Sequence, residues 1–390
     1  MKILMILSRF PFPLEKGDKL RVFNRIRVLS KQHEVYVFCI TSQEPTDEEA
    51  QALAPYCREI YKYQPSRIKI LFNIVRVALC GKPWQNAFFE FKKAKQIVQK
   101  IVKDIQPDHV FVQGVRMADY AEQINIPKTL DYEDAHSLRM LRFSEQAKFP
   151  MSRVYKSEHK RLKIAETKAF DNFDHKLIIS EADRMFINHP NREEILIVRN
   201  GVDLDFFKPD PNVRKTADLL FVGNLSYPPN IQSVRILLED IMPKLIEKNP
   251  LIKLLIAGAN PPQKWFKHQS ANIEILPNPK DIREAYNVAK IFVAPMITGT
   301  GMQNKLLEAM AMKLPCVTTP LANLGLRATP NTEILIAETS DEFVNQILFL
   351  QNNPNACRQF SEQAFDFVKS FSWGKELEKW TCKISENPVK

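Results

Sequence analysis

At 390 residues, 45% hydrophobic and 26% charged, the chain is too long for one ordinary core and has the composition of a folded protein with two domains of about 200 residues each. No apolar run approaches the ~20 residues of a membrane-spanning helix, and six scattered cysteines without a Cys-x-x-Cys pair exclude a disulfide framework or zinc module. The net charge of +10 is concentrated: between residues 60 and 103, ten Lys and Arg side chains stand against the single acid Glu90.

The chain opens on Met1-Lys-Ile-Leu-Met-Ile-Leu-Ser-Arg9, whose apolar run is too short for a signal peptide and lacks a small-residue cleavage site. It reads as a buried first strand, and with the unpaired cysteines it predicts a cytoplasmic protein. Further strand-like runs lie at 34–40, 109–113, 128–131 and 176–180, then at 218–223, 253–258, 272–276, 290–295 and 315–319. Amphipathic helical segments lie between them, at 21–32, 94–105 and 231–248 for example. This alternation predicts parallel sheets with helices on both faces, an α/β fold of two doubly wound Rossmann-like domains. Ligands of such sheets bind at the carboxyl ends of strands.

Gly17 sits in a charged, proline-rich loop directly after the first strand, where a glycine serves either close backbone approach to a ligand or simple turn chemistry. The segment Arg67-Ile-Lys-Ile-Leu-Phe-Asn-Ile-Val-Arg-Val-Ala-Leu79 mixes cations with a wide apolar face. It reads as a basic amphipathic helix, either solvated beside an interior strand or lying on an anionic bilayer. Nucleic acid is disfavoured, because no stacking platform or zinc spacing accompanies the charge. Asp131-Tyr-Glu-Asp-Ala-His-Ser137 packs three carboxylates and an imidazole into the end of a short strand. It serves either as a cleft acid/base group or as an acidic cap for the next helix.

Two prolines in Asp203-Leu-Asp-Phe-Phe-Lys-Pro-Asp-Pro211 interrupt the pattern. They place the domains at 1–207 and 208–370, followed by a C-terminal helical segment 371–390. The most informative stretch is Thr298-Gly-Thr-Gly-Met-Gln-Asn-Lys-Leu-Leu-Glu308. A glycine-bearing turn between strand and helix directs backbone N–H groups outward at the positive end of the helix dipole, a ready anion site. Asn304, Lys305 and Glu308 add an amide, a cation and a carboxylate, with Lys305 and Glu308 on one face. Phosphate and a ribose diol match this set; ordinary βαβ wiring with an i,i+3 ion pair is the plainer alternative.

The run Gly299-Thr-Gly-Met-Gln-Asn-Lys-Leu-Leu-Glu-Ala-Met-Ala311 resembles the sugar-nucleotide loop of retaining glycosyltransferases of the GT-B fold, the large family numbered four, of glycosyl transferases group 1 type. Asn200-Gly-Val-Asp203, Leu219-Leu-Phe-Val-Gly-Asn224, Leu254-Leu-Ile-Ala-Gly258, the loop at 9–21 and Phe371-Ser-Trp373 agree with that family in order. Two departures stand out. Typical members carry two glutamates eight positions apart, and here Thr300 holds the first place. Many also carry Arg after the residue equivalent to Gly223 and Lys a few positions on, and both are absent here.

The resemblance implies a metal-independent retaining glycosyltransferase of cell-envelope or polysaccharide synthesis. It would need no cofactor beyond a nucleotide-diphosphate sugar co-substrate and would act on a glycan or lipid-linked acceptor. Gly223, Asn224, Gly299, Thr300, Gly301, Met302, Gln303, Asn304, Lys305 and Glu308 are implied to bind the donor. Gly17, Asp18, Lys19 and Arg21 are implied to border phosphate and acceptor, and Asp131, Asp134 and His136 to face the sugar. The two sheets are implied to face a central cleft that closes on the substrates, with the segment 371–390 packing back toward the N-terminal domain. Peripheral contact at the inner face of the cell membrane, through the basic segment from Arg67 to Lys103, is a further expectation. A nucleotide-sugar epimerase and a non-catalytic nucleotide-sugar-binding adaptor are the alternatives. An oxidoreductase is disfavoured, because no Gly-x-Gly-x-x-Gly follows the first strand.

Overall fold

A computed structural model of the chain describes residues 1–14, 17–299 and 302–386. The chain forms two units: Met1–Arg199 joined by the segment from Leu377 onward, and Asn200–Glu376.

Among the described residues the first unit holds strands β1 (Lys2–Leu7), β2 (Glu34–Ile40), β3 (Glu59–Tyr63), β4 (His109–Gln113), β5 (Lys128–Asp131), β6 (His175–Ile178) and β7 (Leu196–Ile197). All pairings are parallel, in the order β3-β2-β1-β4-β5-β6-β7. Ile3 to Leu7 are all buried because helices cover both faces of the sheet, and a parallel strand buried on both sides reads as a continuous apolar run. Leu4 and Ile6 join one core with Phe38, Val110 and Leu130. Ile3, Met5 and Leu7 join the other with Val37, Phe111 and Leu177.

The second unit holds β8 (Ala217–Val222), β9 (Leu254–Gly258), β10 (Ile273–Pro277), β11 (Ala289–Ala294), β12 (Cys316–Thr318) and β13 (Leu335–Ile336). They are parallel, in the order β10-β9-β8-β11-β12-β13. Both sheets are therefore doubly wound, with strand order reversing beside the first strand of each, between β1 and β4 and between β8 and β11.

The sequence did not reveal β3, β7 and β13. β3 is an edge strand carrying exposed Glu59 and Lys62, and the other two are only two residues long. The division between units falls at Arg199–Asn200, eight residues ahead of the sequence-based boundary. The Asn200–Asp203 turn is tied to the second unit: the Val202 N–H donates to the Phe371 carbonyl at 2.7 Å. Gly201 abuts the same segment so closely that a Cβ would lie 2.5 Å from the Trp373 nitrogen. The C-terminal helix Trp373–Glu386 changes units at Leu377, placing Leu377, Trp380 and Ile384 in the core of the first unit. There the Trp380 indole donates to Thr129 Oγ1 at 2.9 Å and stands edge-on to Phe111. No helix among the described residues is long and apolar enough to cross a membrane.

Candidate functional site

In the second unit, the helix Asn304–Ala311 is the next helix after the carboxyl end of β11, the strand beside the order reversal. That is where open α/β sheets bind ligands. The N-cap residue of this helix, Gln303, makes no side-chain capping hydrogen bond, and the first-turn N–H groups form the positive end of the helix dipole. Gly299 has φ +122°, a conformation that side chains rarely adopt. The Gln303 amide reaches back to within 3.8 Å of where a Gly299 Cβ would stand. Met302 is buried, and Asn304 Oδ1 accepts from Asn200 Nδ2 at 2.6 Å. Thr300 and Gly301 lie outside the described residues.

Lys305 points into the unit and is almost fully buried. Its ammonium donates to Asn230 Oδ1, sits 3.6 Å from the Met296 sulfur and lies 4.7 Å over the Phe221 ring. Burial pushes its pKa down to about 7, partly opposed by Glu308. Asn230 also donates through Nδ2 to the Asn224 carbonyl at 2.8 Å. The glycines at the strand ends make room for this: a Cβ on Gly223 would lie 2.7 Å from Asn230 Nδ2, and one on Gly258 would lie 1.8 Å from the Gly223 oxygen. Gly223 thus shapes the floor of the site, while the Asn224 side chain accepts from Ser226.

Glu308, one helical turn after Lys305, is half-buried and accepts from the Tyr286 hydroxyl at 2.8 Å. Burial raises its pKa, against the Tyr286 hydrogen bond and the Lys305 charge, both of which lower it. The second unit therefore offers one buried cation, one oriented carboxylate and an uncapped helix start on a single short element. Sequence reasoning missed Asn230 and Tyr286. The first lay in a run read only for its missing cations, and the second carried no local signal.

In the first unit, Asp131 ends β5 fully buried. Its carboxylate accepts from Arg25, lies 3.8 Å from Arg21 and accepts from the Glu133 N–H at 3.0 Å. Asp131 thus orients two guanidinium groups and is closed to solvent. Asp134 lies 3.0 Å from His136 Nε2 and 3.5 Å from Arg139. Burial would raise the Asp134 pKa, but Arg139 and His136 overcome it and hold the group ionised. Glu133, with φ +67°, accepts from Gln113 at 2.9 Å and from Arg116 at 3.3 Å.

Gly17 is exposed as the first residue of the helix Gly17–Leu29. Asp18 accepts from Arg9 at 3.2 Å through its carboxylate and from Gln113 at 3.3 Å through its backbone carbonyl. Lys19 donates to the Phe12 carbonyl at 2.8 Å, fastening the loop. The structure therefore joins Asp18, Arg21, Asp131, Asp134 and His136 to Glu133, the third carboxylate of the Asp131–Ser137 run, and to four residues that the sequence reading did not single out: Arg25, Gln113, Arg116 and Arg139. Arginines on an amphipathic helix read as solvated, so nothing in the sequence marked Arg25 as buried. Among the described residues no cluster of His, Cys, Asp and Glu is arranged to hold a metal ion.

Residues 216–353 match the family described as Glycosyl transferases group 1. Over 387 residues the chain is 24% identical to an uncharacterized 44.6 kDa protein in the cps region of Klebsiella pneumoniae, covering 94% of this chain and 95% of that one. Among solved structures it resembles the sucrose-phosphate synthase of Thermosynechococcus elongatus (TM-score 0.71, 13% identity, 99% of each chain). It also resembles an S. aureus TarM variant in complex with fondaparinux, alpha-GlcNAc-glycerol and UDP (TM-score 0.70, 14% identity, 98% of this chain and 99% of that one). A third is Anabaena Alr3699/HepE in complex with UDP-glucose (TM-score 0.67, 11% identity, 98% and 99%). At these identities the likeness establishes the fold. Residues 216–353 thus carry a glycosyl transferases group 1 domain, in a chain whose fold is that of GT-B glycosyltransferases.

Proposed function

We propose that the chain is a retaining glycosyltransferase that takes its sugar from a nucleoside-diphosphate sugar bound on the second unit. The observation that carries this reading is the pairing of buried Lys305 with Tyr286-oriented Glu308 on the uncapped helix Asn304–Ala311. The diphosphate takes the helix N–H groups and Lys305, and the ribose diol donates to Glu308. The UDP and UDP-glucose complexes among the structural neighbours support such a donor.

The reaction breaks the bond between the anomeric carbon and the diphosphate oxygen and forms one from that carbon to an acceptor hydroxyl. The hydroxyl proton passes to the departing diphosphate oxygen on the same face, which retains configuration without a protein nucleophile. Lys305 and the helix dipole stabilise the charge that grows on the leaving group, so the transfer runs without a metal ion. A glycan or lipid-linked glycan acceptor fits this reading, and the cps-region relative supports a place in polysaccharide synthesis.

The test is a thermal-shift screen of UDP, GDP, ADP and their sugars on wild type, Lys305→Gln and Glu308→Ala, followed by sugar-transfer assays with the stabilising donor. One nucleotide class stabilises wild type, and both variants lose most of that effect. Full stabilisation of Glu308→Ala would defeat the assignment. Thr300, standing where typical members have a glutamate, favours a second reading as a nucleotide-sugar-binding adaptor. Donor binding without nucleotide release against any acceptor pool would select that reading.

A further inference from the structure

The helix Arg67–Leu79 of the first unit carries apolar side chains on two opposite sides. Its inner side is fixed: Val77 is buried, Ile70 packs on the core, and Asn73 Nδ2 donates to the carbonyls of Ala87 and Glu90 at 3.2 and 2.7 Å. Its outer side presents Ile68, Leu71, Phe72, Val75 and Leu79, whose exposures run from 56% for Val75 to 83% for Leu79. These positions are spaced i, i+3, i+4, i+7 and i+11, a single stripe about 16 Å long. A contiguous patch of this kind marks an interaction surface.

Charge decides the partner. The helix contains no acid, and exposed Arg67 and Lys69 flank the start of the stripe. Arg76 and Lys82 are spoken for: they lie 3.1 and 2.9 Å from Glu90. A second copy of this chain would set cation against cation. An anionic lipid surface takes the apolar stripe into its acyl boundary and the cations at its headgroups.

We propose that the outer face of the helix Arg67–Leu79 docks this protein on an anionic bilayer, independently of what the second unit binds. The test is co-sedimentation of the full chain with vesicles of phosphatidylcholine alone and of phosphatidylcholine with phosphatidylglycerol at 7:3. Wild type pellets with the anionic vesicles, and less so at high salt. Leu71→Glu with Phe72→Glu lowers the partition coefficient about tenfold or more. Arg67→Glu with Lys69→Glu lowers it severalfold, and Leu251→Glu, an exposed site on the other unit, leaves it unchanged. A Phe72→Trp variant, which keeps the stripe apolar, gains a blue-shifted emission component on adding anionic vesicles. Wild type remaining in the supernatant, equal pelleting of the Leu71/Phe72 variant, or no spectral shift would each overturn the proposal. So would a wild-type dimer in sedimentation velocity that this double substitution makes monomeric.

Discussion

The Lys305 ammonium is held on the side-chain carbonyl of Asn230, a residue 75 positions earlier on the helix Pro228–Ile236 that follows β8. This contact aims a buried cation that also has the Met296 sulfur and the Phe221 ring beside it. Asn230→Ala should therefore weaken nucleoside-diphosphate binding about tenfold, in keeping with ~1.5–3 kcal/mol for a hydrogen bond to a charged group, part of which water restores. Titration calorimetry with the stabilising nucleotide measures it, and unchanged affinity would remove Asn230 from the site.

The depressed pKa of Lys305, about 7, sets a pH dependence whose sign is fixed. A diphosphate binds the protonated amine and raises its pKa. Affinity is then full below pH 7 and declines as pH rises past about 7, until the bound-state pKa is passed. Proton uptake on binding at pH 8 should appear as a dependence of the observed heat on the buffer. Lys305→Gln should bind weakly with that uptake abolished; an identical uptake in the variant would assign it elsewhere.

Glu308 should discriminate by the ribose. Glu308→Ala should lose at least ~1.5 kcal/mol of nucleotide affinity, more than tenfold. The 2′,3′-dideoxy nucleotide should bind wild type about as weakly as the natural one binds the variant. Tyr286→Phe removes the hydrogen bond that lowers the Glu308 pKa, so it should lose affinity mainly at acidic pH. If dideoxy and natural nucleotides bind wild type equally, Glu308 does not hold the ribose.

The doubly wound fold was legible in the sequence because β1, β4, β8, β9 and β11 are buried on both faces and read as continuous apolar runs. The helix Asn304–Ala311 was legible because its apolar side chains recur at helical spacing and are buried, while Asn304 and Glu308, one turn apart, are only half-buried. What a side chain does after folding was hidden wherever its partner is remote. Asn230 meets Lys305 across 75 residues, Tyr286 meets Glu308 across 22, and Arg25 meets Asp131 across 106. Local periodicity carries no information about such pairs. It did show that Asp131 and Asp134 lie at a strand end, but not that one would be sealed beneath arginines.

Gly258 should be among the positions least tolerant of substitution. Its φ of +151° and the 1.8 Å approach of a notional Cβ to the Gly223 oxygen leave no room unless β8 and β9 separate at their carboxyl ends. Gly258→Ala should destabilise the second unit by about 3 kcal/mol or more, from overpacking added to backbone strain. It should also disturb nucleotide binding, because Gly223 and Asn230 lie directly above. Urea unfolding of the full chain measures the first effect. A midpoint within error of wild type would show that the strand ends yield at little cost.

Glu166 supplies a pH test within the first unit. It is buried, and both carboxylate oxygens accept from Ser137: Oε1 from the backbone N–H at 2.9 Å and Oε2 from the hydroxyl at 2.5 Å. Burial pushes its pKa up to about 7; the Ser137 hydrogen bonds oppose this, and the charges of Asp134 and Asp183 add to it. Between the unfolded value near 4.5 and about 7, the folded state keeps a proton that the unfolded chain releases. Stability therefore falls as pH rises through that window, and the full penalty is present above 7. Glu166→Gln keeps the geometry, since its carbonyl accepts from the Ser137 N–H and its amide donates to the Ser137 hydroxyl. Thermal unfolding should show the variant several degrees above wild type at pH 8 and nearly level with it at pH 5. The same difference at both pH values would mean that Glu166 does not titrate between them.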